Sequence, residues 1–184
     1  IIAEIVSDNA KFRKIIRKIF FEKGILKSEV VDSKESTVYE MYYSYNEKVK
    51  TIPNHRILAI NRGEKEKVLR VKILVPDEEI LNILKREMIK NNRAITTEYL
   101  EMAIEDGYKR LILPSIEREI RGALTERAED EGIKVFSTNL KPLLMQPPRK
   151  NKVVMGVDPG FRTGCKGAVV DGTGKLLETT VVYP

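Results

Sequence analysis

Lys152 to Gly164 reads Lys-Val-Val-Met-Gly-Val-Asp-Pro-Gly-Phe-Arg-Thr-Gly. A valine-rich apolar run, Val153 to Val157, ends on Asp158, and Pro159-Gly160 then forces a turn. This pattern predicts a buried strand leading into a loop. A carboxylate fixed at a strand tip is placed to hold a metal ion or a metal-bound phosphate, and the glycines let another backbone approach closely. Asp158 is therefore the candidate metal ligand. The same residues also suit a plain hairpin whose aspartate bonds its own turn. Arg162 and Lys166 flank the loop. They can contact a phosphate, or they can hold the loop through ion pairs.

The elements that must position Asp158 follow it. Lys166 to Asp171 is a second apolar run, Gly172-Thr173-Gly174 is a turn, and Leu176 to Tyr183 is a third strand. Three short strands with tight turns predict an antiparallel meander. Cleavage of a phosphodiester by paired metal ions needs several carboxylates around ions ~3.5–4 Å apart. The next acid in the meander is Asp171, at the opposite end of the hairpin. Five residues at ~3.3 Å each put it roughly 16 Å from Asp158, out of reach of the same ion. Its place before Gly172 suits a turn residue. Cys165, beside Lys166, is the only cysteine, so no intrachain disulfide or cysteine zinc cluster forms.

A strand-borne aspartate opening such a meander resembles the start of the ribonuclease H-like fold, as in RuvC- and YqgF-type resolvases. Actin-like ATPases begin similarly but place Thr or Ser after the glycine, where this chain has Phe161. The wider match is more specific. Gly-Val-Asp-Pro-Gly-Phe-Arg-Thr-Gly-Cys-Lys (156–166), Asp-Gly-Thr-Gly-Lys-Leu-Leu (171–177) and the final Val-Val-Tyr-Pro resemble the Tex family of bacterial transcription accessory proteins. So do Arg-Ile-Leu-Ala-Ile-Asn-Arg-Gly-Glu (56–64) and Lys-Arg-Leu-Ile-Leu-Pro-Ser-Ile-Glu-Arg-Glu-Ile-Arg (109–121). The resemblance implies a central fragment, whose helical part leads into the first strands of a YqgF-like domain. It also implies nucleic acid (RNA, single-stranded DNA or duplex) and the transcription machinery as partners. The family's helix-hairpin-helix and S1 domains are expected outside this stretch.

Composition agrees with a folded nucleic-acid partner. The 184 residues are 42% hydrophobic and 33% charged, with a net charge of +6. The sequence pI is about 9.3. Such a balance favours a polyanionic ligand, and it also suits plain solubility. No run approaches the ~20 apolar residues of a membrane span. No signal peptide is visible, and a lone cysteine is compatible with a cytoplasmic setting. No cofactor is expected.

Upstream of the meander the periodicities are mainly helical. Residues 1–23 predict one helix with Phe12, Ile15, Ile16, Ile19 and Phe20 on its apolar face. Lys14 and Lys18 belong to its basic remainder, either a nucleic-acid-facing surface or a solvated one. Ser36 to Asn46 predicts a second helix, because Tyr39 and Tyr43 share a face at i, i+4. A short helix follows over 54–61, with Arg62-Gly63-Glu64 as a charged turn, and 68–75 predicts a short strand. Pro76 opens a helix with its buried stripe at Ile80, Leu84 and Met88. Asn91-Asn92-Arg93 interrupts the chain, and a helix from Thr96 or Thr97 runs to about Ile112. Pro114 restarts or kinks the path, and a longer helix carries Ile116, Ile120, Leu124 and Ala128. Pro142 predicts a break at 138–142. His55, the only histidine, has no ligand cluster around it in sequence.

The expected architecture is mainly α: a multi-helical region over 1–148, then an antiparallel β-meander over 152–184 that begins a ribonuclease H-like α/β domain. The Pro147-Pro148-Arg149-Lys150 stretch marks the boundary and adds basic candidates at Arg149 and Lys150. The functional expectation is a non-catalytic nucleic-acid-binding scaffold. The competing readings are a metal-dependent nuclease whose other acids lie further along, and an actin-like ATP-binding module.

Overall fold

The structure, a computed structural model, describes residues 1–32, 37–90, 96–147, 149–160 and 162–183. The expected helix start at Ser36, the Asn91-Asn92-Arg93 interruption, Phe161 and Pro148 lie outside them. The chain divides into two compact units, Ile1–Phe136 and Ser137–Pro184.

The first unit is mainly helical around a small sheet. In place of one helix over 1–23 there are two, α1 (Ile2–Asp8) and α2 (Ala10–Lys23). Asn9 makes the break. Its backbone is extended, and its Oδ1 accepts from the Lys11 and Phe12 amides at 3.0 and 3.3 Å, an N-cap that satisfies two orphan donors. The apolar face of α2 is as expected: Phe12, Ile16, Ile19 and Phe20 are buried.

The expected helix at 36–46 is a correction. The tyrosine stretch forms a 3-10 turn at Glu40–Tyr42 and then strand β2 (Ser44–Lys48), while β1 covers Ile25–Val30. With β3 (Leu69–Leu74) they form an antiparallel sheet in the order β2-β1-β3. The tyrosines serve packing. Tyr39 and Tyr42 are buried, and Tyr42 meets Tyr45 edge-to-face at 5.4 Å. Registers place Leu26 beside Ile73 and Ser28 beside Val71 on the core face. The opposite face takes Lys27 beside Lys72 and Glu29 beside Arg70. The free edge of β3 is met by a side chain, since Glu117 Oε1 accepts from the Ile73 amide at 2.7 Å. Glu117 is thus not the i, i+4 partner of Arg121 that its spacing suggests.

Ser28 is fully buried, and its hydroxyl has no hydrogen-bond partner among the described residues. An unbonded buried hydroxyl costs ~1–3 kcal/mol by mutational standards. Ser28→Ala should therefore raise stability by about 1 kcal/mol, read as a higher urea midpoint at unchanged slope. A loss of similar size would show that the hydroxyl is bonded.

Helix α3 runs Asn54–Lys65 after Pro53, longer than expected, so Arg62-Gly63-Glu64 lies inside it. Helix α4 (Asp77–Met88) starts after Pro76 with three acids in its first turn, complementing its positive end. Helix α5 (Thr97–Asp106) passes into a π-helical segment, Gly107–Ile112, and then α6 (Leu113–Leu144) without a break. Pro114 neither restarts nor stops the path. The Leu113 amide donates five residues back to the Tyr108 carbonyl, and the wider π turn absorbs the donor that proline lacks. Ile104, Tyr108, Ile112, Ile116, Ile120, Leu124 and Ala128 are all buried, at intervals of four. Such a stripe drifts by about 40° per step on an α-helix, and the π segment winds it back toward the core. Tyr108 donates to Asp77 Oδ1 at 2.5 Å, tying this stripe to the start of α4. Burial and the Asp77 carboxylate push its phenol far above the usual range.

Pro142 does not break α6 either. It falls in the last turn, where the Met145 amide still donates to the Lys141 carbonyl at 3.0 Å. In the second unit, β4 (Val154–Asp158), β5 (Cys165–Val170) and β6 (Leu176–Val182) form the expected antiparallel meander, in the order β4-β5-β6, but β4, expected to be buried, is exposed along its whole length. The fold is mainly α followed by antiparallel strands. Among the described residues no helix is long and apolar enough to cross a membrane.

Candidate nucleic-acid interface

Asp158 ends β4 directly opposite Lys166 of β5, and Lys166 in turn faces Val181 of β6. The next row on that face is Gly156, Ala168 and Thr179. Small side chains there leave an open hollow on the meander, with Asp158, Lys166 and Thr179 among its lining residues. Asp158, Arg162 and Lys166 are all exposed. The sheet thus brings one carboxylate and one ammonium together. It does not bring a second carboxylate.

Asp171 is committed elsewhere. Its Oδ1 accepts from the Thr173 amide at 2.8 Å, the Thr173 hydroxyl at 2.7 Å and the Lys175 amide at 2.9 Å. Gly174 supplies the positive φ of +88° that closes this turn. The Thr173 hydroxyl, then the turn amides, hold the Asp171 carboxyl below the ordinary aspartate range. Among the described residues no group of three or more His, Cys, Asp or Glu side chains could hold a metal ion. The donor set of a paired-metal nuclease is therefore not assembled by the described residues.

In the first unit, half of the cations of α2 are neutralised by acids of neighbouring helices. Lys11 pairs with Glu87 at 2.7 Å, Arg17 with Glu119 at 2.5 Å and Lys23 with Glu79 at 2.6 Å. Lys11 holds the Glu87 carboxyl below its usual range, and Arg17 does the same to Glu119. Arg13 donates to the Ser115 hydroxyl at 2.6 Å. These cations lash α2 to α4 and α6 rather than face a ligand. Lys14 and Lys18 differ: both are exposed, one turn apart, with no ion pair among the described residues. Arg149 and Lys150 are exposed in the second unit.

The charged Arg62-Gly63-Glu64 block is a structural corner. Glu64 and Arg121 form a two-pronged ion pair, one prong at 3.0 Å, and Asn61 donates to Thr125 Oγ1 at 2.8 Å. The sequence reading missed a second basic group on β1, β2 and β3: Lys27, Lys48, Arg70 and Lys72. The strict alternation Leu69-Arg70-Val71-Lys72-Ile73 marks the β3 pair in sequence; the β1 and β2 members carry no such signal.

Two family models match this chain. Residues 1–136 match the Tex central region-like model and residues 152–184 the Tex protein YqgF-like domain. The chain is 52% identical to the protein YdcI of Bacillus subtilis over all of its own length and 26% of the relative's. It is 33% identical to the transcriptional accessory protein Tex of Neisseria gonorrhoeae, covering all of this chain and 25% of that one. It is 37% identical to the human S1 RNA-binding domain-containing protein 1 over 85% of this chain and 16% of the relative. The chain thus spans about a quarter or less of the relatives it matches. With both models met in order along one polypeptide, the chain belongs to the Tex family.

Proposed function

We propose that this chain is a non-catalytic, nucleic-acid-binding scaffold segment of a transcription accessory protein. Its functional division follows the boundary at 148–152, a helical region before it and the start of a YqgF-like domain after it. Two observations carry the reading: the exposed cations Arg162, Lys166, Lys14, Lys18, Arg149 and Lys150 enter no ion pair among the described residues, and Asp158 has no second carboxylate beside it on the meander. These cations supply phosphate contacts. Asp158 supplies one carboxylate, which by itself does not bring two metal ions together. The names of the relatives, a transcriptional accessory protein and an S1 RNA-binding domain-containing protein, support the same partner class.

The alternative is a metal-dependent nuclease whose other acids lie on further strands of a longer polypeptide, favoured by the YqgF-like match. End-labelled single-stranded RNA and a labelled four-way DNA junction, incubated with that longer polypeptide and magnesium or manganese, separate the two. The scaffold reading expects retention of the label without cleavage. Metal-dependent cleavage that disappears in Asp158→Ala would overturn it.

A further inference from the structure

We infer that the solvent face of the β2-β1-β3 sheet is a binding surface for the phosphate backbone of single-stranded nucleic acid; the inference rests on the reading of the chain as a nucleic-acid binder. Pairing register defines the face. Lys48, Ile25 and Leu74 form one row, Asn46, Lys27 and Lys72 the next, and Ser44, Glu29 and Arg70 the third. Four cations stand there against one acid. Glu47 points to the other face, where it pairs with Arg56 at 2.9 Å. Lys48, Arg70 and Lys72 are exposed and enter no ion pair within 4 Å among the described residues.

The fold itself has little use for this arrangement. Lys27 and Lys72 are directly opposite across two strands, and like charges so placed weaken a sheet. The one relief is Glu29, which pairs with Lys27 at 2.6 Å and feels Lys72 and Arg70 as well. Contrast α2, where Lys11, Arg17 and Lys23 each have an acid from a neighbouring helix. On the sheet, two lysines and an arginine are left for an external anion.

Geometry favours an extended strand. Arg70 and Lys72 are two residues apart on β3, so their side chains emerge on one face about 6.6 Å apart. Lys27 lies beside Lys72 on the next strand, about 5 Å across. Successive phosphates of an extended single strand have a spacing of this order. Ile25 and Leu74, each partly exposed, flank the row. Among the described residues no aromatic side chain belongs to these three rows, so base stacking contributes little and binding is indifferent to sequence.

The test uses the chain and a fluorescein-labelled 20-nucleotide oligouridylate, with affinity measured from 0.05 to 0.3 M salt. The sheet triple Lys48→Gln, Arg70→Gln, Lys72→Gln is compared with an equally charged control, Lys109→Gln, Lys134→Gln, Lys141→Gln, on the helices. Losing three phosphate contacts should flatten the log–log salt slope by about 2 and weaken binding about a hundredfold at 0.1 M salt. The control should keep the slope of the parent. Equal effects from both triples, or none from the sheet triple, would overturn this inference and leave the scaffold reading standing. Failure of the unsubstituted chain to bind would overturn both. Should the sheet triple misfold, acetylation of the unsubstituted chain decides: oligouridylate should protect Lys27, Lys48 and Lys72, and unprotected lysines would contradict the assignment.

Discussion

Phe20→Ala should cost about 3–5 kcal/mol of unfolding free energy, as large-to-small changes of buried aromatics do. Phe20 is 0% exposed. It belongs to the buried core cluster that also holds Ile16, Ile80 and Leu84, so its ring has packed neighbours to lose. The lost term is transfer of the ring plus the cavity left behind, because helices held by ion pairs such as Lys23–Glu79 collapse only partly into it. Urea unfolding followed by far-ultraviolet circular dichroism reads the change. A loss below about 1 kcal/mol would show that the α2 face is not packed as described.

Gly107→Ala and Gly122→Ala should move stability in opposite directions. Both glycines lie in the continuous helical stretch, and Ala gains about 1 kcal/mol over Gly in a helix interior. At Gly122 an added Cβ meets nothing within 4 Å, so that gain is realised. At Gly107 the Cβ would stand 2.8 Å from the Ala3 carbonyl oxygen and 3.2 Å from its Cα. These are backbone atoms of α1, and a rotamer change cannot relieve the overlap. Displacing α1 costs about 1–3 kcal/mol as overpacking, and Ala3 and Val6, both buried, move with it. The net expectation is a loss of about 1–2 kcal/mol at Gly107 after the helix gain is offset. A stabilised Gly107→Ala would mean that α1 does not seat on the π segment.

The sequence displayed those parts of the fold where one physical signal acts alone. The meander was legible because Val-rich runs alternate with Pro-Gly and Gly-Thr-Gly turns. β3 was legible from its period of two, and the α6 stripe from Ile116 to Ala128. Strands β1 and β2 were hidden by conflict. Ser28 places a polar group inward, and Tyr39 and Tyr43 at i, i+4 mimic a helical face, whereas the two buried tyrosines are Tyr39 and Tyr42. Asn9 was hidden because the apolar period runs on through it, although its extended backbone ends α1 and its side chain starts α2. Pro114 and Pro142 misled in the other direction: proline removes a donor, but a π turn or a last turn accommodates that loss.

The candidate site was legible in the same uneven way. Asp158, Lys166 and the turn role of Asp171 follow from strand and turn spacing, and the register places them as that spacing requires. The charge run on α2 did not say which cations are free, because Glu79, Glu87 and Glu119 come from distant sequence. Lys27, Lys48, Arg70 and Lys72 were unreadable as a group until β1 joined β2 and β3.

The salt dependence of oligouridylate binding by the unsubstituted chain tests the central claim most directly. Free cations that neutralise about three or more phosphates of a single strand give a log–log slope of about −2 or steeper. The account predicts that slope between 0.05 and 0.3 M salt, unchanged when uridine is replaced by adenine or cytosine. A slope near zero, or no binding at 0.05 M, would contradict it.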